Sequence, residues 1–179
     1  MAKERTLSSK RIYEGQIVSL RVDKIQMADG RESTREVVEH DTAVAIVAID
    51  SEDNALLVKQ FRYPLEKELL EIPAGGVDGD ESPEEAVVRE MQEETGYLPR
   101  KVEKIGGFYS SPGFCTEYLY LFLATDLTSN QLYAEDTESI TLVRTPVKDI
   151  PGLITSGSIC DAKSIAGLLT YLEYRKHAE

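Results

Sequence analysis

The stretch Gly75-Gly76-Val77-Asp78-Gly79-Asp80-Glu81-Ser82-Pro83-Glu84-Glu85-Ala86-Val87-Val88-Arg89-Glu90-Met91-Gln92-Glu93-Glu94-Thr95-Gly96-Tyr97 decides how the rest of this chain is read. Its second half is a helix with both ends marked. Ser82 is a helix cap, Pro83 suits the first turn, and Glu85 completes a capping box. Gly96 stands where a helix ends in the left-handed conformation. Projected at about 100° per residue, Pro83 to Thr95 puts Glu90, Glu93 and Glu94 on one side, with Val87, Val88 and Met91 on another flank facing a sheet. Arg89, four residues before Glu93, is placed to pair with it.

Carboxylates sharing a helix face repel, by a few tenths of a kcal/mol per exposed pair and by more when half-buried. A hard divalent cation removes that repulsion and takes carboxylate oxygens as its preferred ligands. An isolated Glu-x-x-Glu-Glu is ordinarily a solvated acidic face. Here Gly75 and Gly76 directly precede the cluster on a loop that lets backbone approach a ligand closely, and an inward-turned Ala74 carbonyl would add one more hard oxygen.

The flanks read mainly as strands. Ile17 to Ile25, a hairpin signal at Asp29-Gly30, and Ser33 to Glu39 come first. Thr42 to Ile49 and Ala55 to Phe61, joined across a polar turn, read as a second hairpin buried in the core. Glu68 to Ile72, Val102 to Phe108, Tyr118 to Ala124 and Ile140 to Arg144 follow as strands. Ile165, Leu168, Leu169 and Leu172 recur at helical spacing, so Asp161 to Arg175 reads as an amphipathic helix. The expectation is a mixed α/β (α+β) domain over residues 41–179, with strands 1–40 as an appended antiparallel sheet.

With 179 residues the chain has room for one well-packed domain and a short appendage. Its net charge of −12 repels phosphate backbones, which argues against nucleic-acid binding. No apolar run approaches the roughly 20 residues that span a bilayer, and the N-terminus lacks a signal-peptide pattern. Cys115 and Cys160, far apart, read as free buried thiols, and the expectation is a cytoplasmic protein. His40 and His177 read as bystanders. No serine elbow or cysteine partner suggests a covalent intermediate.

Gly75, five residues, Glu81, seven residues, and then Arg89-Glu90-Met91-Gln92-Glu93-Glu94-Thr95-Gly96-Tyr97 resembles the Nudix box at all nine of its defined positions. The resemblance implies a Nudix α/β/α sandwich that binds Mg²⁺ or Mn²⁺ and hydrolyses a nucleoside diphosphate derivative. It implies Glu90 and Glu94 as principal metal ligands, with Glu93 and the Ala74 carbonyl in support, and Glu81 as a brace for the loop. The Gln60-Phe61-Arg62, Glu71-Ile72-Pro73-Ala74-Gly75 and Ser111-Pro112-Gly113-Phe114-Cys115-Thr116-Glu117 runs are similar to the ADP-ribose pyrophosphatase group. A proline 15 residues after the box, here Pro112, is part of that signature. The similarity runs from about Tyr13 to Leu172.

Carried over residue by residue, Arg35, Arg62, Pro112, Gly113 and Glu117 are expected at the substrate. The loop holding Glu135, Asp136 and Glu138 is expected to supply carboxylates to metal and water, with Glu138 and Asp136 as the leading matches. The group also implies a homodimer with exchanged N-terminal strands. The chain has no tryptophan to stack on adenine, so Tyr13, Phe61, Tyr63, Phe108, Tyr109 or an apolar surface of Ile25 and Met27 is expected instead. Another nucleotide sugar, a dinucleotide, or a ligand-binding sensor without catalysis stay open as alternatives.

Overall fold

The computed structural model describes residues 4–133 and 139–178, and its chain contacts divide into two units. The larger, residues 43–108 and 119–179, is built around strand β4 (Ala43–Ala48). Every residue of this strand is buried, so both faces must be covered. Side chains of a strand alternate between faces. Accordingly Ala43, Ala45 and Val47 join one apolar cluster, while Val44, Ile46 and Ala48 join another. The first cluster is completed by Leu168 and Tyr171 of the C-terminal helix, the second by Ala86, Val87 and Met91 of the box helix. Strand alternation thus generates the α/β/α sandwich, with one helix layer for each face.

Two sheets form the β layer. One runs β7 (Ala74–Gly76), β4, β9 (Tyr118–Ser129), β8 (Tyr97–Tyr109), with β4 antiparallel to β7 and parallel to β9. The other runs β10 (Thr141–Pro146), β5 (Asn54–Arg62), β6 (Lys67–Glu71), all antiparallel. The expected hairpin between Thr42–Ile49 and Ala55–Phe61 is therefore not a ladder. One isolated bridge, Ile49 to Ala55, joins these segments before β4 and β5 enter different sheets. Both strands are nearly continuous apolar runs, so their pattern carried burial but no information about the partner.

The box helix α1 (Pro83–Glu90) opens with the full capping box at Ser82 and Glu85. It does not continue as an α-helix to Thr95. From Met91 to Thr95 it widens into a π turn, ended by Gly96 at φ 77°. The Thr95 hydroxyl bonds the Met91 carbonyl, and the Gly96 N–H donates to the Gln92 carbonyl at 3.2 Å. Two further helices follow: α2 (Ile150–Thr155), which no apolar periodicity announced, and α3 (Ala162–Ala178). Among the described residues, no helix is long and apolar enough to cross a membrane.

The smaller unit, residues 1–42 and 109–118, contains an antiparallel meander. It consists of β1 (Arg5–Glu14), β2 (Val18–Gln26) and β3 (Glu32–His40), with the β2–β3 turn closing at Gly30, φ 88°. The segment carrying Ser111 to Glu117 lies against β3: the Val38 N–H donates to Phe114 at 2.8 Å and the Thr116 N–H to Val38 at 3.0 Å. Cys115 is half-buried and Cys160 exposed. Both are free as expected, but neither is the buried thiol that the sequence suggested.

Helix α3 sits on the sheet at Gly167. A Cβ there would stand 2.8 Å from Ile72 Cδ1 and 3.0 Å from Leu121 Cδ1. Gly167→Ala is expected to cost about 1–3 kcal/mol by overpacking this contact. Urea unfolding of the variant checks it; unchanged stability would mean that α3 has room to lift.

Candidate active site

The loop–helix–loop builds the site from adjacent backbone and side-chain groups. Strand β7 pairs with β4 in the register Ala45 to Ala74 and Val44 to Gly75, which pins the loop to the core. Opposite it stand Glu90, at the end of α1, and Glu94, in the π turn. A Cβ on residue 75 would fall 1.9 Å from Glu90 Oε1, so that carboxylate fills the space that any larger residue would need. A side chain here would make the Glu90 carboxylate move aside. Beside it, the Ala74 N–H donates to Glu94 Oε2 at 3.0 Å.

Arg89 holds the cluster together. Its Nη1 donates to Glu90 at 2.6 Å and to Glu93 at 3.2 Å. Its Nη2 reaches Glu81 at 2.6 Å and the Gly76 carbonyl at 2.9 Å. Glu81 also accepts from the Asp78 N–H at 2.8 Å, so it ties the loop to itself and to the helix. The hydrogen bond from Arg89 lowers the pKa of Glu81, while its carboxylate neighbours raise that of Arg89.

The two carboxylates assigned to metal shift the other way. Burial raises the pKa of Glu90, outweighing the Arg89 charge. Burial, then repulsion from Glu90, pushes Glu94 up to about 8, against the Ala74 hydrogen bond and the charges of Arg62 and Lys163. Crowded, half-desolvated carboxylates beside a close backbone are the donor set that a hard divalent ion satisfies. The residues fit such an ion. Among the described residues no three acidic, histidine or cysteine side chains already form a metal cage. Glu90 and Glu93 are turned onto Arg89, and Glu94 onto Ala74.

Arg62 ends β5 and meets Glu71 with Nε and Nη2, both at 2.8 Å. Glu71 is 1% exposed and is also bonded by Lys163, which reaches Asp161 at 2.9 Å. Burial opposes the charge on Glu71, but Arg62 and Lys163 outweigh it, and its pKa is lowered. A cleft of about 310 Å³ is lined by Arg62, Leu65, Leu69, Glu71, Asp161 and Lys163. Sequence reasoning did not assign Glu71, Asp161 or Lys163 individually. A signal existed: Leu69 and Glu71 share the buried face of β6, where a carboxylate needs a cation.

Of the remaining expected residues, Phe61, Tyr63 and Phe108 belong to the larger unit, and the others belong to the smaller unit or lie outside the described residues. Arg35 is paired with Glu4. Pro112 and Gly113 are exposed at the tip of a turn closed by Phe114 N–H to the Ser111 carbonyl, 3.1 Å. Glu117 lies 3.8 Å from His40 Nδ1. Ile25 is buried and offers no surface to a base, whereas Tyr13, Phe61, Tyr63 and Tyr109 are exposed. Asp136, Glu138 and Glu135 lie outside the described residues.

A family model described as NUDIX domain matches residues 39–166, and one described as nucleoside diphosphate sugar hydrolase N-terminal domain matches residues 4–38. The chain is 36% identical to an ADP-ribose pyrophosphatase of Bacillus subtilis (strain 168), over 97% of this chain and 95% of that protein. It is 34% identical, with the same coverage, to a methanol dehydrogenase activator of Bacillus methanolicus. Its fold is similar to that of a crystal structure of an ADP compounds hydrolase, TM-score 0.91 at 21% identity, covering 98% of this chain and 96% of that one.

The raised pKa of Glu94 sets a pH dependence. Its protonated form is favoured in the folded chain, so its contribution is complete below its ordinary value of 4.5 and is lost as pH rises through about 8. In the metal-free chain, Glu94→Gln is expected to become progressively more stable than the parent across that window, by at most about 1.4 kcal/mol per pH unit. Denaturant melts in EDTA at several pH values measure the difference; a constant offset would refute the shift.

Proposed function

The chain belongs to the Nudix family and is a Nudix pyrophosphohydrolase, and from that premise we propose that it hydrolyses the diphosphate linkage of ADP-ribose, giving AMP and ribose 5-phosphate. The observation that carries the substrate is the 36% identity to an ADP-ribose pyrophosphatase along 97% of the chain. The N-terminal model, named for nucleoside diphosphate sugar hydrolases, favours a second reading in which the substrate is another nucleotide sugar.

In this reading Glu90, Glu94 and the Ala74 carbonyl would hold Mg²⁺ or Mn²⁺, with Glu93 in support, and the bound ion would supply charge neutralisation and a more acidic water. The protein's own part is largely positioning and charge compensation. Arg89 keeps Glu90 and Glu93 oriented at 2.6 and 3.2 Å. Glu71 engages one N–H on Nε and one on Nη2 of Arg62, which leaves the other Nη N–H groups for a phosphate contact. Arg35, Pro112, Gly113 and Glu117 are assigned to the nucleoside and ribose. The proton leaving water is assigned to Glu138 or Asp136, in the segment between Tyr133 and Ser139.

We place the enzyme in the cytoplasm as a homodimer sharing its N-terminal strands. The free state of Cys115 and Cys160 supports a reducing compartment.

A panel of ADP-ribose, other nucleotide sugars and dinucleotides, incubated with Mg²⁺ and resolved by product chromatography, tests the substrate. AMP and ribose 5-phosphate are the expected products, and no turnover of ADP-ribose would sink the favoured choice. Glu94→Gln is expected to lower kcat at least about 100-fold, beyond the loss typical of an outer partner of a metal ligand, while the chain still folds.

A further inference from the structure

The first turn of α3 grips the strand end that leads into the site. Asp161 caps this helix: its Oδ1 accepts from the Ser164 N–H at 3.1 Å and from Lys163 Nζ at 2.9 Å. Lys163 also bonds the carboxylate of Glu71. Ser164, fully buried, accepts the Ile72 N–H on its hydroxyl at 2.8 Å. Consecutive residues 71 and 72 are therefore held by consecutive residues 163 and 164, one through its side chain and the other through its backbone.

Two residues further on, the same strand end reaches the candidate ligands. The Pro73 carbonyl accepts from the Ile46 N–H at 2.9 Å, and the Ala74 N–H donates to Glu94 at 3.0 Å. Ile72 lies in the gap between β6 and β7, and Ser164 satisfies its buried N–H. A helix cap requires only Asp161. The additional bonds from Lys163 and Ser164 act on the segment that aims Ala74 and, through it, Glu94.

We propose that Lys163 and Ser164 are positioning residues for the divalent cation: by fixing residues 71–74 they set the placement of Ala74 and Glu94, and with it the affinity for the ion. This rests on the assignment of Glu90, Glu94 and Ala74 as its ligands. Lys163 acts through Glu71 and Asp161 and Ser164 through the Ile72 N–H, so neither is itself one of the assigned ligands. Their effect appears as weaker metal binding in a chain that remains folded, and as a higher metal concentration for half-maximal turnover with a smaller change in kcat at saturating metal.

The test is Mn²⁺ binding to the full chain, read by electron paramagnetic resonance of the free ion, at a temperature where circular dichroism shows each variant folded. Ser164→Ala and Lys163→Met are expected to weaken Mn²⁺ binding about 10-fold, the lower range for an outer partner of a metal ligand. Ile150→Val removes a methylene from the same core, far along the chain from residues 71–74, and is expected to lower stability while keeping Mn²⁺ affinity.

Wild-type affinity in both Ser164→Ala and Lys163→Met would overturn the inference, as would an equal loss in Ile150→Val. If Ser164→Ala does not fold, Lys163→Met decides alone by the same criterion. Failure of the parent chain itself to bind Mn²⁺ would overturn the metal assignment and the inference with it, a result distinct from parent binding that the variants leave unchanged.

Discussion

Glu90 fills the space that a single methyl group on Gly75 would occupy, and beside it Glu94 accepts the Ala74 N–H. Burial withholds water from both carboxylates, and repulsion from Glu90 adds to it at Glu94, which is why both pKa values rise. The surrounding structure can be understood as what makes this arrangement tolerable. The capping box fixes where α1 starts, pairing of β7 with β4 fixes where the loop lies, and Arg89 compensates the carboxylates that the backbone does not.

Rigidity at the site derives from the core. Because β4 is buried on both faces, α1 and α3 pack on opposite sides of one strand, and each brings something to the loop. From one face α1 supplies the acidic side chains and Arg89. From the other, α3 supplies Lys163 and Ser164 to the strand end. The charge balance also differs between the two. Arg62, Lys163, Glu71 and Asp161 sum to zero and close on one another, whereas Glu81, Glu90, Glu93 and Glu94 exceed Arg89 by three. The first set is balanced in charge. The second invites a cation.

Much of this was legible in the sequence because it depends on local chemistry. Ser82, Pro83, Glu85 and Gly96 mark a helix by capping geometry alone, and the box spacing brings Glu90, Glu93 and Glu94 to one side. Partnership between strands was not legible. Thr42–Ile49 and Ala55–Phe61 are similar apolar runs, and nothing in either says that they belong to different sheets. The π turn at Met91–Thr95 escaped for a related reason: it depends on how Glu94 and Thr95 meet Ala74 and Met91, contacts that the sequence does not contain. Helix α2, six residues long with Pro151 and Gly152 inside it, carries too little periodicity to be read. Individual roles for Arg35, Pro112, Gly113 and Glu117 came from resemblance, and their places in a separate unit do not follow from any pattern along the chain.

Several departures from local rules fall beside the candidate ligands. Glu71 occupies the buried face of a strand, Glu90 is buried on a helix, the α-helix gives way to a π turn, and the Glu90 carboxylate fills the space beside Gly75. Each departure costs folding energy when taken alone. In the core clusters the pattern is regular: β4 alternates cleanly, and Ala86, Val87 and Met91 pack as an amphipathic helix should. Around residues 71–75 and 90–95 these departures together crowd carboxylate oxygens against close backbone, and that is a donor set a hard divalent ion suits.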